Sequence, residues 1–277
     1  MKLLTFDIEE FYHLLGPDVA VSETLRSSHS SINAVSERIL ELLDRNGVKA
    51  LFFFVGETAV ENSDLVREVI SRGHQVGSHS MHHNLHQEQT DCEFRKDLKD
   101  SIEVLSGISK RAVRAYRAPG FSLTYEYLSR FRILADEGIQ CDFSVFLNGG
   151  SHGGIGAEKL RQYRADAYSY NIDGVRSYPF VRSRIGFINI PVLGGGYFRL
   201  LPGCFSRYAV KNSNYCMTYF HPRDFDPSQP SIPGLSMRRR FRSYVGLGRS
   251  LAKFEKILSA ADWDDPRRIL GEYVETS

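Results

Sequence analysis

Of the 277 residues only one is tryptophan and four are cysteine. The cysteines (Cys92, Cys141, Cys204 and Cys216) are far apart and never in a CxxC pair, which argues against a zinc ribbon or a disulfide framework. Long apolar runs are missing too. No stretch approaches the roughly 18 residues that a membrane-crossing helix requires. Charge of one sign is equally scarce: 35 basic against 33 acidic residues leave a net +2, so no global field recruits nucleic acid. The start lacks a basic segment followed by a long apolar core, so no signal peptide is read and a cytoplasmic protein is expected. What is present is 42% hydrophobic residues, enough to bury one large core. A single domain over 1–277 is expected, with a core at about 3–225 and a helical extension at about 235–277.

The apolar residues alternate between two periods. Ile32, Val35, Ile39, Leu42 and Leu43 form a helical stripe ending near Gly47, and Leu65, Val66, Val69 and Ile70 form another, closed by Gly73. Leu98, Ile102 and Leu105 mark a third, stopped by Gly107, and 127–134 reads as helical. Between them 49–55, 74–78, 113–118 and 139–145 read as strands. This alternation implies an α/β fold with a parallel sheet, and its length favours closure into a barrel. Further on, 175–180 and 187–192 read as short strands of a local antiparallel insertion, and 215–220 as a strand delivering His221. The five glycines within 149–156 read as a mobile loop, and Gly194-Gly195-Gly196 lacks the Lys-Ser or Lys-Thr of a phosphate loop.

Four of nine histidines fall between residues 79 and 86. On a helix turn, His79 and His83 would lie on one face and share a divalent ion, leaving room for a carboxylate and a water, the ligand count of a catalytic site. The strand Leu3-Leu4-Thr5-Phe6 runs into Asp7, Glu9 and Glu10. Asp7 and Glu9 are two apart and point the same way on an extended backbone, so either could ligate while the other takes a proton. Glu10 reads as a solvated strand end. His82 faces away from the pair, and His86 is either exposed or behind it.

Five segments in order, Thr5-Phe6-Asp7, His79-Ser80-Met81-His82-His83, Arg117-Ala118-Pro119-Gly120, Asp142-Phe143-Ser144 and Phe220-His221-Pro222, resemble the motifs of the NodB-homology polysaccharide deacetylases, carbohydrate esterase family four. The likeness covers roughly 3–260. The phrases Gly195-Gly196-Tyr197-Phe198-Arg199-Leu200-Leu201-Pro202 and Tyr219-Phe220-His221-Pro222-Arg223-Asp224-Phe225-Asp226-Pro227 are similar to the intracellular-type subgroup associated with exopolysaccharide export. The resemblance implies a distorted (β/α)7-type barrel with irregular C-terminal additions. It also implies a metal-dependent hydrolase that removes N-acetyl groups from a bacterial surface polysaccharide or its precursor. By position, Asp7 would be the general base, His79 and His83 metal ligands, and His221 the general acid. Arg117 would orient Asp7, Asp142 would orient His221, and the Gly120 N–H would help hold the oxyanion. Most relatives carry a second Asp where Ile8 stands, so Glu9, with Glu10 as the alternative, is the expected third ligand. Phe146 stands near a tryptophan of many relatives.

Zinc is the expected metal, with cobalt, manganese, nickel or iron as alternatives. The expected partner is an N-acetylated glycan, lipid-linked or nucleotide-linked sugar, not nucleic acid; a peripheral membrane position is left open. Tyr197, Phe198 and Tyr219 are candidates to line a sugar groove. The dense basic run Arg238-Arg239-Arg240-Phe241-Arg242 suits pyrophosphate, anionic lipid or an acidic glycan, or is simply a solvated face. Rival readings are a non-haem iron oxygenase, which also uses two histidines and a carboxylate, a glycan-binding homologue impaired by Ile8, and an amidase for small non-sugar amides.

Overall fold

In a computed structural model the described residues are 1–13, 31–149 and 154–271. Strands β1 (Lys2–Leu3) and β2 (Thr5–Ile8) are followed by helix α1 (Ile32–Arg45), β3 (Leu51–Phe54), α2 (Gly56–Glu61), α3 (Ser63–Ser71) and β4 (Gln75–Ser78). Next come α4 (Asp91–Ser109), β5 (Ala115–Tyr116), α5 (Arg130–Asp136), β6 (Cys141–Asp142) and α6 (Ala157–Leu160). The chain continues through β7 (Tyr170–Ile172), β8 (Val175–Ser177), β9 (Ser183–Ile185) and β10 (Ile188–Ile190). Helices α7 (Gly195–Leu200) and α8 (Gly203–Asn212), strand β11 (Cys216–Met217) and helices α9 (Met237–Tyr244) and α10 (Leu247–Leu258) complete it.

Strands β2, β3, β4, β5, β6 and β8 lie side by side and parallel, and β7 pairs antiparallel with β8. On the far side of β2, β1 pairs parallel with β11, and Phe6 forms a parallel bridge to Phe220. The curved sheet is the expected α/β distorted barrel. Side-chain alternation explains why both faces are dry. In β3, Phe52 and Phe54 point outward into a cluster with Val35, Ile39 and Leu43 of α1. Leu51 and Phe53 point inward to meet Ala115, Phe143 and Met217. The same alternation turns Phe6 and Ile8 of β2 outward, leaving Thr5 and Asp7 for the interior.

Two expectations are corrected. Helix α4 passes through Gly107 and stops only at Lys110 in the left-handed conformation, while Thr90 and Glu93 cap its start reciprocally. The 175–180 segment joins the main sheet through β8 rather than forming an insertion; the local antiparallel hairpin is β9–β10. Within the glycine-rich stretch, residues 150–153 lie outside the described residues. No helix among the described residues is long and apolar enough to cross a membrane.

Helix α10 is pinned by Phe254, whose ring meets Phe6, Phe220 and Phe225 at centroid distances of 5.7, 5.5 and 5.2 Å. Phe254 is fully buried. Phe254→Ala should therefore cost about 3–5 kcal/mol, the usual range for emptying a packed aromatic site. Chemical denaturation checks this; a loss under about 1 kcal/mol would mean the helix is not part of the core.

Candidate metal centre and active site

The carboxyl ends of β2 and β4 flank β3, with Asp7, Phe53 and Gly77 in register across the three strands. A side chain at Gly77 would lie 2.7 Å from the Phe53 ring, so only glycine leaves room inside the barrel there. Just beyond these strand ends, Glu9 and His79 are both buried, each keeping only 1% of its full exposure.

His83 reaches them by a route that differs from the expected helix turn. Residues 79–83 form a loop in which Ser80 and His83 take left-handed backbone conformations (φ 66° and 58°). Such residues cost of order 1–3 kcal/mol each and persist only when the surroundings hold them. Here Asp97 on α4 accepts from the Met81 and His82 N–H groups at 2.8 and 3.2 Å, and Ser80 Oγ accepts from His83 N–H. Gly56 N–H donates to the Ser80 carbonyl. With α4 supplying the anchor, the i and i+4 imidazoles converge through the loop instead of through a helix face.

The ligand atoms of Glu9, His79 and His83 all lie within 4.8 Å of one another. Glu9 Oε2 meets His83 Nε2, yet neither Glu9 oxygen nor His83 Nε2 has a hydrogen-bond partner of proper geometry. His79 Nδ1 lies 2.8 Å from the Arg117 carbonyl, which accepts its proton and leaves the Nε2 lone pair for a ligand. Orphaned, buried donor atoms aimed at one point are costly unless a cation satisfies them. Two imidazoles and a carboxylate fit a divalent transition ion with open positions. Burial raises the Glu9 carboxyl, but the imidazoles of His83, His221 and His79 outweigh it and hold Glu9 well below the usual carboxylate range. Burial pushes His79 down to about 4 and keeps it neutral, as a ligand must be.

Asp7 stands beside this set, buried and paired with Arg117, whose Nη1 is 2.6 Å from Oδ1. Arg117 is wholly inside the barrel. Its Nη2 donates to Thr5 Oγ1 at 2.9 Å, its Nε to the Phe143 carbonyl at 3.3 Å, and its guanidinium lies over the Phe53 ring at 4.3 Å. The bond to Asp7 Oδ1 directs the other carboxylate oxygen toward the mouth, where His221 Nε2 lies 3.8 Å away.

His221 sits at the end of the β11 segment, its Nε2 also 3.2 Å from Glu9 Oε1. The expected partner, Asp142, is not the one it uses. Asp142 accepts from Ser144 N–H at 3.1 Å and from Ser177 Oγ–H at 2.7 Å, deep in the sheet, and burial pushes it up to about 6. His221 Nδ1 instead lies 3.2 Å from Asp224 Oδ2, and Asp224 Oδ1 accepts from Arg199 Nε at 2.9 Å. Burial would lower His221, but Asp224, Glu9 and Asp7 prevail and raise it to about 9. Asp224, which burial would raise, is held at about 2 by His221 and Arg199. Sequence reasoning missed this Arg199–Asp224–His221 chain although all three residues lie in the quoted phrases. The signal was the three-residue spacing of His221 and Asp224 across a turn whose Pro222 starts a short helix (Pro222–Phe225). His13, whose ring stacks on His83 at 5.1 Å, was also passed over.

A stability prediction follows for the metal-free protein. Because His221 is raised from 6.5 to about 9 in the fold, its contribution is full below about pH 6.5 and is lost as pH rises through about 9. Asp224→Asn should therefore destabilise the chelated protein more at the acidic end of that window than at the alkaline end. A denaturation midpoint difference that is flat with pH would refute the assignment.

The remaining candidates divide. Phe198 is buried against Phe220 and Phe225 and lines no groove, contrary to expectation. Tyr197 is half exposed, and Tyr219 is partly buried, 6.3 Å from the His221 ring. Gly120 follows β5 in a turn with φ 60°. Phe146 packs on Phe121 and Phe180. Glu10 is buried rather than solvated. His82 pairs with Glu57 at the surface. His86 is buried with Arg130, which donates to its Nδ1 at 2.8 Å.

Residues 3–135 match the polysaccharide deacetylase family, and residues 147–271 match a domain of unknown function, DUF3473. The likeness to polysaccharide deacetylases in sequence is thus confined to residues 3–135. Over 51 residues the chain is 43% identical to the peptidoglycan-N-acetylglucosamine deacetylase PgdA of Listeria monocytogenes, covering 18% of this chain and 11% of that protein. Over 82 residues it is 29% identical to a peptidoglycan-N-acetylglucosamine deacetylase of Bacillus cereus, 30% of each chain. These matches span a third or less of either relative. A protein assigned as a polysaccharide deacetylase in Mycobacterium smegmatis superposes with a TM-score of 0.60 over 93% of this chain and 82% of its own, at 15% identity. A family 4 carbohydrate esterase from Streptomyces lividans gives 0.50 over 93% and 85%, at 14% identity. At these identities the likeness is one of fold. Within the segment matched by the polysaccharide deacetylase family lie Asp7, Glu9, His79, His83 and Arg117; His221, Asp224 and Arg199 come from the segment matched by DUF3473.

Proposed function

We propose that the protein is a metal-dependent deacetylase removing N-acetyl groups from a bacterial surface polysaccharide or its glycan precursor. The observation that carries this reading is the convergence of the Glu9–His79–His83 set, in which both Glu9 oxygens and His83 Nε2 lack hydrogen-bond partners, with an Arg117-held carboxylate and an Asp224-held imidazole. The naming of both sequence relatives as peptidoglycan-N-acetylglucosamine deacetylases supports the substrate class.

Glu9, His79 and His83 would hold the ion, which supplies carbonyl polarisation and a more acidic water. The residues of the chain do the rest. Asp7, paired with Arg117, accepts the proton of the attacking water. Arg117 keeps the Asp7 carboxylate turned toward the mouth and out of bulk solvent. His221, raised by Asp224, carries a proton at neutral pH and delivers it from Nε2 to the departing amine. Arg199 restrains Asp224 so that its carboxylate faces Nδ1. The Gly120 N–H and the rings of Tyr197 and Tyr219 are proposed to hold the oxyanion and the sugar.

The test is acetate release from N-acetylated chito-oligosaccharides and from lipid-linked and nucleotide-linked N-acetyl sugars. Activity should vanish on chelation and return with zinc or another divalent ion, without oxygen. Glycan binding with no acetate released by metal-loaded protein would leave the rival reading of a binding homologue.

A further inference from the structure

Helix α9 presents an unusual surface. Its sequence is Met-Arg-Arg-Arg-Phe-Arg-Ser-Tyr, without a single acid. Met237, Phe241 and Tyr244 recur at i, i+4 and i+7 and therefore share one stripe. Met237 is 84% exposed and Phe241 56%. On a helical wheel Arg240 and Arg238 fall on opposite sides of that stripe, and Arg238, Arg240 and Arg242 are all exposed. The stripe borders an open cleft of about 460 Å³ shared with Gln229, Ser231 and Val245. A second cleft, of about 780 Å³, meets it at Tyr244 and Val245 and adds Arg249 and Lys253, and neither lining contains an acidic residue.

The helix is firmly attached at one end. The Tyr244 hydroxyl donates to the Pro230 carbonyl at 2.7 Å and accepts from Ile232 N–H at 2.9 Å. Arg199 donates to the carbonyls of Arg242, Ser243 and Val245. The same Arg199 pairs with Asp224, the partner of His221, so one guanidinium ties the helix to the active-site mouth.

We propose that α9 docks the protein on an anionic phospholipid bilayer, with Met237 and Phe241 entering the headgroup boundary and the flanking arginines facing lipid phosphates. Charge selects this occupant. A second copy of the helix would bring arginines against arginines, and a soluble polyanion has no use for two exposed apolar side chains between them. An apolar stripe flanked by arginines is the pattern of an interfacial helix. Docking there would hold the His221 side of the barrel near the membrane surface. The binding itself does not depend on the deacetylase reading.

The full chain should float with vesicles of equimolar phosphatidylcholine and phosphatidylglycerol and not with phosphatidylcholine alone. Each of Arg238→Gln and Arg240→Gln should weaken binding about fivefold, the share of one basic residue near an anionic surface. Met237→Ser with Phe241→Ser should weaken it at least tenfold while leaving the circular dichroism spectrum and acetate release from a soluble substrate unchanged. Equal binding to both vesicle types, or binding indifferent to the serine pair, overturns the proposal. So does capture by heparin but not by vesicles, which would assign the arginines to a soluble polyanion. Concentration-dependent dimerisation abolished by Phe241→Ser, without vesicle binding, would assign the face to a second copy.

Discussion

His79→Ala is expected to lower acetate release by about 1000-fold, because a cation contributes several kcal/mol to stabilising the charge that develops on the acyl oxygen. His79 has no substitute. Its Nδ1 is committed to the Arg117 carbonyl, and that bond fixes the orientation of Nε2 toward Glu9 and His83. Alanine would also relieve the desolvated imidazole, so the variant should fold and melt near the parent in the absence of metal. Two readouts separate cause from accident: metal content after dialysis, which should fall to background, and the thermal shift on adding zinc, which should disappear. Full metal content with lost activity would move His79 out of the ligand set, and retained activity would remove the site altogether.

The second large effect concerns Arg117. A wholly buried guanidinium is tolerable only because Asp7, Thr5 and the Phe143 carbonyl satisfy it and Phe53 lies beneath it. Removing one member of a buried ion pair leaves the other uncompensated, typically costing 3–5 kcal/mol. Arg117→Met should therefore unfold about 3–5 kcal/mol more easily in denaturant and show no measurable acetate release. Combining it with Asp7→Asn removes the stranded charge, so the double variant should recover part of the lost stability and none of the activity. Additive destabilisation in that cycle would mean the two groups do not act as a pair.

How much of this was legible beforehand varied with the kind of contact involved. The outward Phe6 and Ile8 and the inward Thr5 and Asp7 follow from a two-residue period that the amino-acid order displays directly, whereas the all-apolar run Leu51-Phe52-Phe53-Phe54 displays none. The meeting of Asp7 with Arg117 was implied by the motif resemblance, and the parallel sheet realises it by bringing both to carboxyl ends of strands. The assignment of Asp142 to His221 failed because proximity on a barrel rim is decided by neighbouring staves. Asp142 starts from β6 beside β8 and spends its oxygens on Ser144 and Ser177. Asp224, three residues along a turn, is nearer than any stave can bring Asp142. The His79–His83 spacing suggested a helix because i and i+4 adjacency is a helical habit. Two left-handed residues and the Asp97 anchor produce the same convergence from a loop, and Asp97 is fourteen positions from His83 in the chain.

Residue order alone determined the strand and helix periods, the shared direction of Asp7 and Glu9, and the candidate ligand types, because these depend on spacing along the backbone and on side-chain chemistry. Only the tertiary structure decided that Asp224 and Arg199 serve His221, that Phe198 packs inward, and that α9 leaves Met237 and Phe241 in water. Those outcomes depend on which distant segments desolvate one another, and burial is a property of the packed molecule.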